Sequence, residues 1–136
     1  MYQWDKSLET GYEEIDRQHR EWFEALNSMA NAFQQGEGKE DIVKTMEFLI
    51  LYTVKHFSAE EDLMIINNYP GYSQHKRYHD EFKKKVNDLT RQLIREGPSK
   101  EISDTVIFSI RDWLFNHIKG EDFRMAAYLK TRKNTV

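Results

Sequence analysis

Apolar side chains recur along this chain at alternating intervals of three and four, in four long stretches separated by turn-forming residues. The first stripe is Ile15, His19, Trp22, Leu26, Met29 and Phe33, and Gly36-Glu37-Gly38 ends it. The second is Ile42, Met46, Leu49, Thr53, His56, Glu60 and Leu63, within a helix expected from about Lys39 to about Ile66. Asn67-Asn68-Tyr69-Pro70-Gly71 then turns the chain, and a third helix begins near Ser73 with the stripe His75, His79, Phe82, Val86, Leu89 and Leu93. Gly97-Pro98 stops it, and Ser99 is placed to cap a fourth helix carrying Ile102, Val106, Ile110, Trp113 or Leu114, and His117. This spacing is that of amphipathic helices with one buried face. Thr10 with Glu13 fits a capping box opening the first helix, after an extended arm in which Trp4 and Leu8 face the bundle. Gly120 is expected to loosen the fourth helix, and Phe123 to Lys130 to form a short terminal one before a frayed end. The fold class predicted is all-α: an up-down-up-down four-helix bundle over residues 1–136, a single domain.

The polar members of these stripes change the picture. All five histidines lie on predicted inner faces, together with Glu60. His56 and Glu60 are four residues apart, as are His75 and His79, so each pair points from one helical face toward one region. A single histidine so placed is ordinarily a hydrogen-bonded core residue, and the pair His75 and His79 could simply cap the third helix. Glu60, between Phe57 and Leu63, is costly to bury unless it is paired or bound to metal. Its neighbours Glu61 and Asp62 read as solvated residues. Asp122 lies five residues after His117, which is not a same-face spacing; it joins the interior only if the backbone deviates near Gly120, and otherwise reads as a cap of the last helix. Burying five imidazoles and a carboxylate separately in one small core would be unfavourable, whereas a shared metal centre satisfies them together.

Composition narrows the chemistry. Cysteine is absent, so any metal site has only nitrogen and oxygen ligands, which suits iron, zinc, copper or manganese. Seven ligands are too many for one ion and suit two. If Glu60 and Asp122 bridge two irons along with an oxo or hydroxo group, three histidines complete one iron and two leave the other with a vacant position. Trp22, Phe57, Trp113, Leu114 and Ile118 adjoin the ligands and would wall that position as an apolar pocket, besides packing the core. A net charge of −3 supplies no basic face for nucleic acid. No apolar run approaches the roughly 20 residues of a membrane span, and the N-terminus does not read as a signal peptide, so a cytoplasmic protein without membrane insertion is expected. No constellation for organic acid–base or nucleophilic chemistry stands out.

The segments GYEEIDRQH (11–19), HFSAE (56–60), HKRYH (75–79) and WLFNHIKGED (113–122) together closely resemble the hemerythrin family, and in particular its single-domain bacterial members. The resemblance implies a non-haem di-iron site that binds dioxygen reversibly and is not an enzyme. By position, His75, His79 and His117 match the three-histidine iron set, His19 and His56 the ligands of the open iron, and Glu60 and Asp122 the bridging carboxylates. Leu114 and Ile118 match aliphatic pocket positions, while Trp22 stands where animal relatives commonly carry leucine. The roles implied are oxygen storage, transport or delivery to an oxygen-consuming enzyme, in a monomer. An oxygen or redox sensor acting through a partner, and a di-iron oxidase or peroxidase, are the competing roles; the imidazole-rich ligand set disfavours the enzyme.

Overall fold

The computed structural model describes residues 4–133, with side chains through Arg132. Four long helices, α1 (Glu13–Gln34), α2 (Lys39–Ile66), α3 (Tyr72–Glu96) and α4 (Lys100–His117), are followed by a wider π-helical turn, Ile118–Asp122, and by α5 (Phe123–Lys133). α1 packs on α2 and α4, and α3 packs on α2 and α4, so the four close into the expected antiparallel bundle. The expected frayed end falls on residues 134–136, outside those described.

The boundaries follow local chemistry. α1 stops where Gly36 takes φ +70 and the Glu37 amide donates back to the Ala32 carbonyl at 3.2 Å. Asn68, at φ 55, turns the chain out of α2; asparagine tolerates this left-handed conformation better than most residues. Ser99 Oγ accepts from the Ile102 amide at 3.1 Å and opens α4.

The N-terminal expectation needs correcting. The arm contains a 3-10 turn, Lys6–Leu8, and the residue before α1 is Tyr12, which makes no side-chain cap. In place of a Thr10/Glu13 capping box, Asp16 reaches back. Its carboxylate accepts from the Thr10 amide and hydroxyl, both at 2.8 Å, and from the Gly11 amide at 3.1 Å. The Asp16 carboxylate is buried against these donors, whereas Glu13 is exposed and pairs with Arg20 at 3.1 Å. The arm is thereby fixed over the bundle, and Lys130 of α5 donates to the Thr10 carbonyl at 2.8 Å.

Two apolar clusters result. The larger fills the bundle and includes Trp22, Leu26, Met46, Phe57, Phe82, Ile110, Leu114 and Ile118. The smaller, built from Ile15, Met64, Met125, Ala126 and Leu129, is closed by α5. Along α1 the order is Ile15, His19, Trp22, and along α2 it is Phe57, Glu60, Met64, so the polar residues lie between the two clusters.

Candidate metal centre

Each of the four bundle helices contributes a histidine to this layer: His19 from α1, His56 from α2, His75 and His79 from α3, and His117 from the last residue of α4. Glu60 comes from α2, and Asp122 from the end of the π-helical turn. That turn resolves the five-residue spacing from His117. A wider turn takes up the extra residue and returns Asp122 to the face of His117. Asp122 is completely buried and is not an exposed helix cap. None of the seven residues is more than 5% exposed, so water cannot satisfy their polar atoms.

The ligand atoms sort into two groups. Glu60, His75, His79, His117 and Asp122 can direct one atom each at a common point, and His19, His56, Glu60 and Asp122 can do so at a second. Both carboxylates belong to both groups and divide their oxygens between them. Glu60 Oε1 lies 3.2 Å from His75 Nε2 and 3.2 Å from His79 Nε2, while Oε2 lies 2.7 Å from His56 Nε2 and 3.4 Å from His19 Nε2. Asp122 Oδ1 lies 3.0 Å from His75 Nε2 and 3.2 Å from His117 Nε2, and Oδ2 lies 2.9 Å from His19 Nε2. Metal–ligand bonds of about 2.1 Å separate adjacent ligands of one ion by about 3 Å, which is the separation found here.

The atoms at the centre fit bound cations better than they fit one another. His19 Nε2, His56 Nε2, Glu60 Oε2 and both Asp122 oxygens are buried without a well-directed hydrogen bond. Orphans at this density are costly, and ions placed at the two points would coordinate them all.

Without metal, protons take the cations' place. Burial alone would lower the His19 ring, but the close carboxylates of Asp122 and Glu60 outweigh it and raise it to about 9. His75 is raised to about 10 by the same carboxylates against the same opposing burial. Burial opposes ionisation of Glu60 and Asp122 as well. Yet the imidazoles, His56 and His19 foremost around Glu60 and His117 and His19 around Asp122, hold both carboxyls well below the usual range. His79 Nε2 and His117 Nε2 stand 3.1 Å apart; burial opposes the charged form of both rings, yet His79 is raised by Glu60 and Glu61 while His117, under the dominant effect of burial, is lowered.

Two rings are oriented from behind. His56 Nδ1–H donates to Gln18 Oε1 at 2.6 Å, and His79 Nδ1–H donates to Glu61 Oε2 at 2.9 Å, which fixes Nε2 of each toward the centre. Glu61 was expected to be solvated. Its side chain is only 15% exposed because α3 lies across it, so that expectation fails. Asp62 is exposed as expected. Gln18 and Glu61 directly adjoin ligands in the chain, and that adjacency was the sequence signal available for both.

The five residues expected to wall a pocket lie around the centre unequally. Phe57 stacks on His79 at 3.7 Å between ring centroids, Trp113 stacks on His117 at 4.3 Å, and Trp22 lies 5.2 Å from His56. Leu114 and Ile118 are wholly buried in the adjoining core, while Trp113 is half-buried. Phe82, read only as a stripe residue, also packs here, stacked on Trp113 at 4.2 Å.

Comparison with known proteins agrees with this arrangement. Residues 10–129 match the family model described as the hemerythrin HHE cation binding domain. A bacteriohemerythrin of Stenotrophomonas maltophilia is 34% identical over 131 residues, covering 96% of this chain and 83% of its own. A myohemerythrin of Theromyzon tessulatum is 32% identical over 123 residues, covering 90% and 89%. A crystal structure of wild-type hemerythrin superposes with a TM-score of 0.83 at 28% identity, covering 95% of this chain and 98% of that one. With the bundle, the inward histidines and the paired cation positions all accounted for, the chain belongs to the hemerythrin family, whose domain holds a non-haem di-iron centre.

Proposed function

We propose that this protein binds dioxygen reversibly at two iron ions, and that it stores, carries or delivers oxygen. The observation that supports this most directly is the division of both carboxylates between a three-histidine group and a two-histidine group. In this reading Glu60 and Asp122 bridge, His75, His79 and His117 complete one iron, and His19 and His56 hold the other. With one protein ligand fewer, an iron held by His19 and His56 would be the one open to a small neutral molecule. As a hemerythrin the chain is a binding protein and not an enzyme.

When bound, the irons supply the electrons that hold dioxygen reversibly. The chain's own residues orient, balance charge and exclude water. Gln18 and Glu61 hold two imidazoles in the tautomer whose Nε2 faces inward. Glu60 and Asp122 contribute two negative charges to a buried site that must accommodate cations. Trp22, Phe57, Leu114 and Ile118, all buried, keep bulk solvent from the centre, and we assign Trp113 to the rim of the same pocket. The test is an optical spectrum of the reduced, iron-loaded protein before and after aeration, with iron counted by elemental analysis. Two irons per chain and a spectrum that reverses on deoxygenation are expected. One metal per chain, or no reversible change, overturns the reading.

A further inference from the structure

We infer that Tyr52 is a positioning residue for the two-histidine side of the centre, acting with Glu21 through Gln18; this rests on the di-iron reading above. Tyr52 lies four residues before His56 on α2, so its side chain rises one turn from that ligand, along the seam with α1. Across the seam its hydroxyl meets two groups of α1. It donates to the Glu21 carboxylate and lies 3.3 Å from the Gln18 backbone carbonyl. Gln18 is also the residue whose side chain accepts from His56 Nδ1–H, and it directly precedes His19. One phenol thus fixes the α1 segment that orients one ligand of the two-histidine group and carries the other.

The surroundings explain why a clamp is needed there. A cavity of about 110 Å³ lies behind His56, lined in part by Gln18, Glu21, Tyr52 and Lys55. It is large enough for water. A water inserted there would compete with Gln18 for His56 Nδ1–H and release the ring to its other tautomer. Tyr52 spans this gap while half-buried, and Arg17 pairs with Glu21 at 3.1 Å on the outer side. On the three-histidine side Glu61 holds His79 directly, and among the described residues no tyrosine hydroxyl is seen behind it; Nδ1 of His75, like Nδ1 of His19, has no hydrogen-bond partner. The clamp therefore acts on one metal position and leaves the other alone.

The experiment compares Tyr52→Phe, which removes only the hydroxyl, with Glu21→Gln, which retains an acceptor for it. Apo protein is titrated with Zn²⁺ against a competing chelator, and exchange of His56 Nδ1–H with water is followed by ¹H–¹⁵N NMR in the zinc-loaded and metal-free chains. In Tyr52→Phe, one of two binding steps should weaken about tenfold, the usual loss when support behind a ligand is removed. His56 Nδ1–H should exchange faster in both states, and Glu21→Gln, which keeps a neutral acceptor for the hydroxyl, should move both readouts in the same direction but by less. Equal weakening of both steps, or unchanged exchange at His56, overturns the inference and leaves Tyr52 a packing residue. If the unmutated chain binds a single Zn²⁺, it is the two-metal reading that fails. The metal-free exchange rates still decide whether Tyr52 holds Gln18 against His56.

Discussion

Loading metal into this site should expel protons, and the number follows from the buried imidazoles. With His19 at about 9 and His75 at about 10, both rings are protonated in the metal-free protein at neutral pH. Coordination needs their neutral forms. At pH 7, removing the proton costs about 3 kcal/mol for His19 and about 4 kcal/mol for His75, at about 1.4 kcal/mol per unit. These costs subtract from metal affinity and shrink as pH rises toward each value. Between pH 7 and 9, overall affinity for a pair of divalent ions should therefore rise about a hundredfold per pH unit, one decade for each proton displaced. The assay is Zn²⁺ titration of apo protein in weak buffer with a pH-indicator dye, repeated as a chelator competition at several pH values. At least two protons per chain should appear at pH 7, with any from metal-bound water in addition. Release of fewer than two, or an affinity flat between pH 7 and 9, would refute the electrostatic account of the site.

The same rings set the stability of the metal-free fold. Their folded values are raised above the ordinary 6.5, so their stabilisation is complete below 6.5 and is lost as pH rises through about 9 to 10. Glu60 and Asp122 act in the opposite sense, since their depressed values stabilise above the ordinary carboxylate range and that contribution disappears in acid. Thermal unfolding of apo protein should accordingly show falling Tm on both sides of a maximum near or below neutrality, flattened when metal is bound. Leu114→Ala, at a fully buried position, should leave both metals bound yet cost about 2–5 kcal/mol by denaturant unfolding, with faster autoxidation of the oxygenated protein; stability loss without faster autoxidation would make Leu114 core only. Glu60→Gln keeps the shape but removes a charge shared by both positions, and metal analysis should show at most one ion retained. Asp16→Ala strips three hydrogen bonds from the N-terminal arm, so hydrogen exchange at the Thr10 and Gly11 amides should accelerate while metal content is unchanged.

The sequence by itself determined the bundle and most of its centre. Three-and-four periodicity is a property of consecutive residues, and a helix converts it directly into a face, so the inward direction of His19, His56, Glu60, His75, His79 and His117 was legible without coordinates. The turns were legible for the same local reason: Gly36, Asn68 and Gly97 carry the positive φ values that end α1, α2 and α3. Asp122 was legible only conditionally, because its spacing departs from the α-helical period and a wider turn had to be formed to use it. The Thr10/Glu13 capping box was misread because the donors of Thr10 and Gly11 precede the helix and are brought to Asp16 by the folded arm. Glu61 looked like one member of a charge run until α3 packed beside it. Gln18, Tyr52 and Glu21 connect through space across the seam of α1 and α2, over separations of 31 to 38 residues that no periodicity encodes. The division of Glu60 and Asp122 between two sets of imidazoles likewise depends on where four helix axes lie relative to one another. Helical pattern fixes which way a side chain points from its own axis; only packing fixes the distance to the next axis, and coordination is a matter of those distances.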